Sequence, residues 1–346
     1  LVIEARDVPF VRLSGDAAGD DLGFFGETDL PASSAAGRLG DNTRILVATG
    51  ADTDLEIRGL TLAGGITRDD NDPLGGTEAA RSGESGGAIR AEGDLTLVDT
   101  RLIGNATYGS YATGGAVHVL GTLAVRGGAV TGNRSYGDYG GGGALSSVGP
   151  VDISGTVLQG NEANGIFSPG GAALLRGGGR IADAHVSGNR TTETDSPGGA
   201  ILASGPMTLV DTRLDTNLTE GPGSPGGAIS ASLDAGGLVI HGGAIERNGT
   251  RGDYSVGGAI RSQESVVLVG TFLQANTTTG SSSSGGAISS GDSVTAINAS
   301  FLENGTAGAL ADGGAIQAPI RVALQNSTVT GNTVAGPGAS GGAAAT

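Results

Sequence analysis

The tripeptide Gly-Gly-Ala begins at Gly86, Gly114, Gly142, Gly170, Gly198, Gly226, Gly257, Gly285, Gly313 and Gly341; eight of the nine intervals are 28 residues and one is 31. A column of asparagines runs in phase with it: Asn105, Asn133, Asn161, Asn189, Asn217, Asn248, Asn276, Asn304 and Asn332, with the same three-residue insertion. Three positions before each asparagine stands an apolar residue: Leu102, Val130, Leu158, Val186, Leu214, Ile245, Leu273, Phe301 and Val329. Columns that hold one register across ten copies are the mark of a repeat array. Each copy is too small to bury a face alone, so copies must stack on one another.

Within each copy the apolar residues alternate with a period of two, as in Leu95-Thr96-Leu97, Val151-Asp152-Ile153, Met207-Thr208-Leu209 and Val322-Ala323-Leu324, which is the pattern of a half-buried strand. Gly, Asp, Asn and Ser separate the short strands and favour turns. Three strands per copy are expected: Gly-Gly-Ala-Ile, Leu-x-Leu and apolar-x-x-Asn. The fold class that follows is all-β, a right-handed parallel β-helix with one coil per 28 residues. At about 4.8 Å per coil the ten marked coils span roughly 50 Å. Ile89, Val117, Leu145, Ile201, Ile229, Ile260, Ile288 and Ile316 then form an interior ladder. The 68 glycines in 346 residues fit this reading and exclude two others. Glycine does not recur every third residue, as collagen requires, and the recurring aliphatic runs, in a chain that is 37% apolar, do not suit disorder.

The constant columns have physical readings. Two glycines permit a sharp corner with positive φ, and an invariant alanine marks a place where nothing larger fits between coils. The asparagines are expected to stack at a corner, with their amides bonded along the helix axis. Seven of them also read Asn-x-Ser/Thr, as in Asn105-Ala106-Thr107, the acceptor pattern for N-glycosylation. A ladder amide, however, is closed to a glycosyltransferase.

The chain divides into residues 1–65, divergent amino-terminal coils or a cap; 66–85, a polar insertion loop; and 86–346, the regular coils, which stop in mid-coil and are expected to continue past Thr346. The insertion carries Asp69, Asp70 and Asp72. Clustered loop carboxylates can take calcium, the only cofactor suggested here, although this spacing matches no loop with fixed ligand positions. The variable segment is the loop between each asparagine and the next Gly-Gly-Ala, and it holds all five tyrosines. Tyr108 and Tyr136 occupy the third position after their asparagines; Tyr111, Tyr139 and Phe167 occupy the sixth on three consecutive coils. Stacking would bring these rings together, either as a contact patch for a glycan or protein or as a ladder that stiffens the loops.

There is no cysteine, so neither disulfides nor thiolate metal sites are available. The formal charge is −16 and every basic residue is arginine. Such a surface repels phosphate backbones and acidic polysaccharides, which argues against nucleic acid as a partner and against acidic-sugar substrates. No apolar run is long enough for a helical membrane span. Catalytic constellations were sought and none assembles. The Asp-Asp pairs at Asp20 and Asp69 precede the regular coils, and His241-Gly242 lies about six coils, or ~29 Å, beyond Asp70, too far for a carboxylate pair acting on one glycosidic bond. His118, His185 and His241 fall in three different columns. Gly140-Gly141-Gly142-Gly143 lacks the lysine and helix of a phosphate loop.

The paired markers Gly-Gly-Ala-Ile and Phe301-Leu302-Glu303-Asn304 resemble the repeats of polymorphic outer-membrane proteins and related bacterial surface β-helices, and the likeness extends from Leu55 to Thr346. In most coils Phe is replaced by Leu or Val. The resemblance implies an extracellular or cell-surface passenger, adhesive and tethered by a carboxy-terminal barrel or anchor; it carries over no catalytic residue. The expectation is therefore a non-enzymatic adhesin or structural spacer that meets a glycan or protein at a cell surface, or meets itself. The alternatives are a polysaccharide lyase or hydrolase on the same scaffold, and a self-assembling surface fibre or layer.

Overall fold

The structure, a computed structural model, describes residues 1–5, 11–14, 43–68, 84–233 and 236–345. It is a parallel β-solenoid whose strands pair with their counterparts in the next coil, 28 residues on in the regular part. Each regular coil begins on sheet one, which holds the Gly-Gly-Ala-Ile strands, and crosses to sheet two with the Leu-x-Leu strands. Sheet three carries the residues that lead to the asparagine. In the coil containing Asn105 these strands are Ile89–Ala91, Asp94–Val98 and Arg101–Ile103.

A fourth strand then follows, Ala106–Tyr108, and its equivalents build sheet four. The sequence had suggested three strands per coil. The fourth is short, two or three residues, and carries no aliphatic alternation because its buried position is filled by Thr or Ser in most coils and by Ala163 in one. Among the described residues, sheets one, two and three contain eleven strands each and sheet four contains ten. The first strand of sheet four is Ile66–Arg68, paired in register with Ala106–Tyr108, so the first three residues of the expected polar insertion belong to a strand. Val2–Glu4 and Val11–Ser14 extend sheets two and three by one coil at the amino end.

The core is a narrow stack of aliphatic columns. Ile89, Val117, Leu145, Ala173 and Ile201 lie in register on sheet one and are fully buried. Leu95 and Leu97, with Leu102, supply the inward positions of sheets two and three in the same coil. Phe301 is the largest fully buried side chain.

The corners explain the constant residues. At Gly142 φ is +59°, and a Cβ on Gly143 would lie 2.1 Å from the Gly171 carbonyl oxygen and 2.3 Å from that of Glu162. The first glycine is thus required by conformation and the second by the approach of two neighbouring coils. The alanine that follows has its carbonyl shared: the amides of both Ala144 and Leu145 donate to Ala172 O, at 3.0 and 2.9 Å. The turn between sheets two and three is also left-handed, at Asp99, Gly127, Asp183, Asp211 and Asn298, with φ from 44° to 69°. These Asp and Asn residues serve as turn formers, the residue types that tolerate this region best after glycine.

Candidate functional site

The asparagine column closes the corner between sheets three and four. Asn161 is fully buried, and its Oδ1 accepts from both the backbone N–H and the Nδ2 of Asn133, each at 3.0 Å. Its Nδ2 donates to Val130 O and to Asn189 Oδ1, both at 2.9 Å. The same four-bond pattern links Asn105, Asn133, Asn161, Asn189, Asn217, Asn248, Asn276, Asn304 and Asn332. Asn105 also extends it backward, accepting from the Gly65 amide at 2.9 Å. Every group of the amide is used, as a buried polar side chain demands. From Asn189 to Asn304 the residue two places on is also occupied, as where Thr219 Oγ1 donates to Ser224 O at 2.5 Å and Thr250 Oγ1 to Ser255 O at 2.6 Å, both threonines being buried; Thr107 Oγ1 and Ser135 Oγ are buried without such a bond. In the folded chain the Asn-x-Thr pattern is thus a coil clasp and offers no accessible amide for a glycan.

Sequence reasoning missed a second polar ladder. Ser168, Ser196, Ser224, Ser255 and Ser283 are fully buried. Each of the first four donates its backbone N–H to the hydroxyl of the next, at 2.9 to 3.0 Å. The signal was present, since all five stand seven residues after their asparagines, but serine in a Ser/Thr-rich loop reads as solvated.

The position just before the serine column, six residues after each asparagine, carries aromatic side chains in four coils. Tyr111, Tyr139 and Phe167 have φ of 70°, 60° and 56°, a region that bulky side chains seldom adopt. Their rings stack, with centroids 5.0 Å apart for Tyr111–Tyr139 and 5.2 Å for Tyr139–Phe167, and with interplanar angles of 11° and 14°. Tyr139 is 49% and Phe167 44% exposed. The same left-handed position carries Tyr254 and Leu310, exposed to 71% and 62%, and in two coils glycine, Gly223 and Gly338.

Tyr108 and Tyr136 form a separate pair on sheet four, at 4.7 Å and 13°. The Arg68 guanidinium lies over the Tyr108 ring, 5.5 Å from its centroid, a cation–π contact. Burial, and next the neighbouring Tyr136, push the Tyr108 phenol up to about 12. Burial also raises Tyr136, whose hydroxyl accepts from Arg134 Nη1 at 3.4 Å. The sequence had grouped all five rings; the structure separates a half-buried pair from a protruding ridge.

The ridge offers a partly exposed apolar surface. Stacked rings cover one another's faces and present edges outward, which suits packing against apolar side chains better than face-on stacking against a sugar. Among the described residues no group of three or more His, Asp or Glu is placed to hold a metal ion. Asp69, Asp70 and Asp72 lie outside the described residues. The histidines sit on three sheets: His118 on sheet one, His185 on sheet three, and His241 at the end of a sheet-two strand. His118 is buried, its Nδ1 within 2.9 Å of Thr113 Oγ1 and 3.3 Å of Ser146 Oγ. Burial, then Arg176, Arg90 and Arg44, bring its pKa down to about 4. No helix among the described residues is long and apolar enough to cross a membrane. Compared with family models, with curated proteins and with solved structures, the chain matches none.

Proposed function

We propose that this chain is a non-enzymatic, extracellular β-solenoid of a bacterial cell surface, an adhesin passenger or spacer whose protruding loops bind a partner protein. The observation that carries the reading is the aromatic ridge at Tyr111, Tyr139 and Phe167. A left-handed conformation costs a non-glycine residue about 1–2 kcal/mol, and each stacked pair returns about 0.5–1.5 kcal/mol. Three strained residues against two stacked pairs leave little net gain for the fold, and glycine serves the same turn at Gly223 and Gly338. Rings held half exposed at no profit to stability are best explained by what they touch. The bacterial surface setting rests on the resemblance of the Gly-Gly-Ala and apolar-x-x-Asn columns to polymorphic outer-membrane-protein repeats.

The test replaces Tyr139 and Phe167 together by glycine. The thermal midpoint is expected to stay within a few degrees, while adhesion of chain-coated beads to a panel of cell surfaces falls at least tenfold. Adhesion unchanged in the folded variant would remove the ridge from the proposal.

A further inference from the structure

Sheet four carries a depression of about 420 Å³ near its centre, lined by Arg247, Arg251, Thr216, Leu218, Thr277 and Gly249 among others. Its volume lies within the range of small-molecule sites, about 300–1,000 Å³. The hollow exists because the chain places no side chain at Gly249, between the longer side chains of the neighbouring positions. Gly249 stands in the register position that Arg190 and Leu218 occupy in the two preceding coils. A Cβ there would meet only ordinary contacts, 3.4 Å from Thr277 and 3.7 Å from Leu218, and its φ is not in the left-handed region. Unlike Gly143, this glycine is not required by the backbone.

Arg247 stands beside it. Its φ is 53°, at a corner where Gly104, Gly132, Gly160, Gly188 and Gly331 make the same turn and where Thr216, Ala275 and Glu303 make it in the neighbouring coils. The arginine is held by Asp215 of the preceding coil, with Nη2 2.8 Å from Oδ2. That contact engages one of five guanidinium N–H donors. Arg251 is paired with Glu220 only at 3.5 Å, and its side chain is 64% exposed, a pairing of little strength that leaves its fork free to turn inward.

From the hollow and the two arginines that line it we infer that the space over Gly249 binds the carboxylate of a small acidic sugar, clamped between Arg247 and Arg251. Two guanidinium forks match a carboxylate in geometry and charge, and the threonine hydroxyls that line the hollow can receive ring hydroxyls. The overall charge of −16 opposes the approach of anions, but at physiological salt it is screened beyond about 8 Å, whereas both arginines line the site itself.

The experiment titrates the full chain with glucuronate and with glucose, which differ at C6 in having a carboxylate or a CH₂OH, following chemical-shift changes or heat. Glucuronate is expected to bind saturably and at least tenfold more tightly than glucose. Gly249→Leu, which copies Leu218 into the hollow, and Arg251→Gln are each expected to weaken glucuronate at least tenfold. If Gly249→Leu alters the circular dichroism, Arg251→Gln, at an exposed side chain, decides alone. Equal binding of glucose, an affinity unchanged by Arg251→Gln, or no saturable glucuronate binding would each overturn the assignment.

Discussion

Replacing Asn161 by alanine tests the element on which the whole coil stack depends. The amide makes four hydrogen bonds, to Asn133 N, Asn133 Nδ2, Val130 O and Asn189 Oδ1. Two of the partners keep another bond: Asn133 Nδ2 still donates to Leu102 O, and Asn189 Oδ1 still accepts from Asn161 N. Asn133 N loses the bond that the amide supplied, at a corner closed to water, whereas Val130 lies in a strand paired with Val157–Gln159 and keeps its ladder bonding. An orphaned buried polar group costs about 1–3 kcal/mol and each of the other three lost bonds about 1 kcal/mol, so Asn161→Ala should cost about 4–6 kcal/mol. Asn332, by contrast, is partly exposed, so water can replace the bonds that Asn332→Ala removes, and the cost should be about 1 kcal/mol or less. Stacked repeats need not unfold in one step. The assay is therefore native-state hydrogen exchange read coil by coil, with urea denaturation beside it. Protection should fall at Asn133 and Asn161 and their neighbours in the first variant and only at the terminal coil in the second. Equal, small losses in both variants would refute the claim that the buried amides hold the coils together.

Three further outcomes follow from the same geometry. Gly143→Ala, whose Cβ would sit 2.1 Å from a neighbouring carbonyl oxygen, should prevent correct coil closure, while Gly160→Ala, with nothing within 4 Å and only a φ of 62° to contend with, should cost about 1 kcal/mol; urea midpoints separate the two. The pKa of His118, about 4 in the fold against an ordinary value near 6.5, is depressed, so the unfolded chain binds the extra proton first. The resulting stability is fully present above about pH 6.5 and is lost as pH falls towards 4, about 3 kcal/mol in all. His118→Gln should flatten that part of the pH profile, and an unchanged slope would contradict the burial argument. Thr250→Val keeps the shape of the side chain but removes its bond to Ser255 O; a loss of about 1 kcal/mol and faster proteolytic cleavage of the loop at Arg251 are expected.

The solenoid was legible because its strongest constraints fall on single residue types. Gly142 and Gly143 have no substitute at a positive φ and a 2.1 Å approach, and Asn161 none as a side chain that both donates and accepts along the axis. Such positions repeat unchanged, and a period emerges from them. The fourth strand stayed hidden for the opposite reason: Ala106–Tyr108 and its equivalents are held by main-chain pairing around a small buried residue, a demand that several residue types meet. The serine ladder was hidden because burial of Ser196 follows from its neighbours, and nothing in its own chemistry announces it. The ring stacks at Tyr111, Tyr139 and Phe167 were foreseeable from equal spacing alone. Their exposure depended on the left-handed turn that lifts them from the wall.

In a stack of this kind the fold itself uses a small number of columns, and each has a stated physical demand: left-handed φ, lack of room for a Cβ, or a pair of axial hydrogen bonds. A side chain that meets the demand of its column carries no information about function, however often it recurs. Information lies where a residue goes beyond the demand of its column without a structural return. Tyr139 and Arg247 stand at left-handed turns that several kinds of residue make and that glycine makes without strain, and Gly249 is a glycine where the backbone asks for none. The first puts aromatic edges on a ridge, and the other two, adjacent in space, open a hollow between arginines. Ligand contacts on such a solenoid should therefore map to such positions, and exchanging Asp99 or Gly127 for the other's residue type, both allowed in one corner column, should leave every binding activity of the chain unchanged.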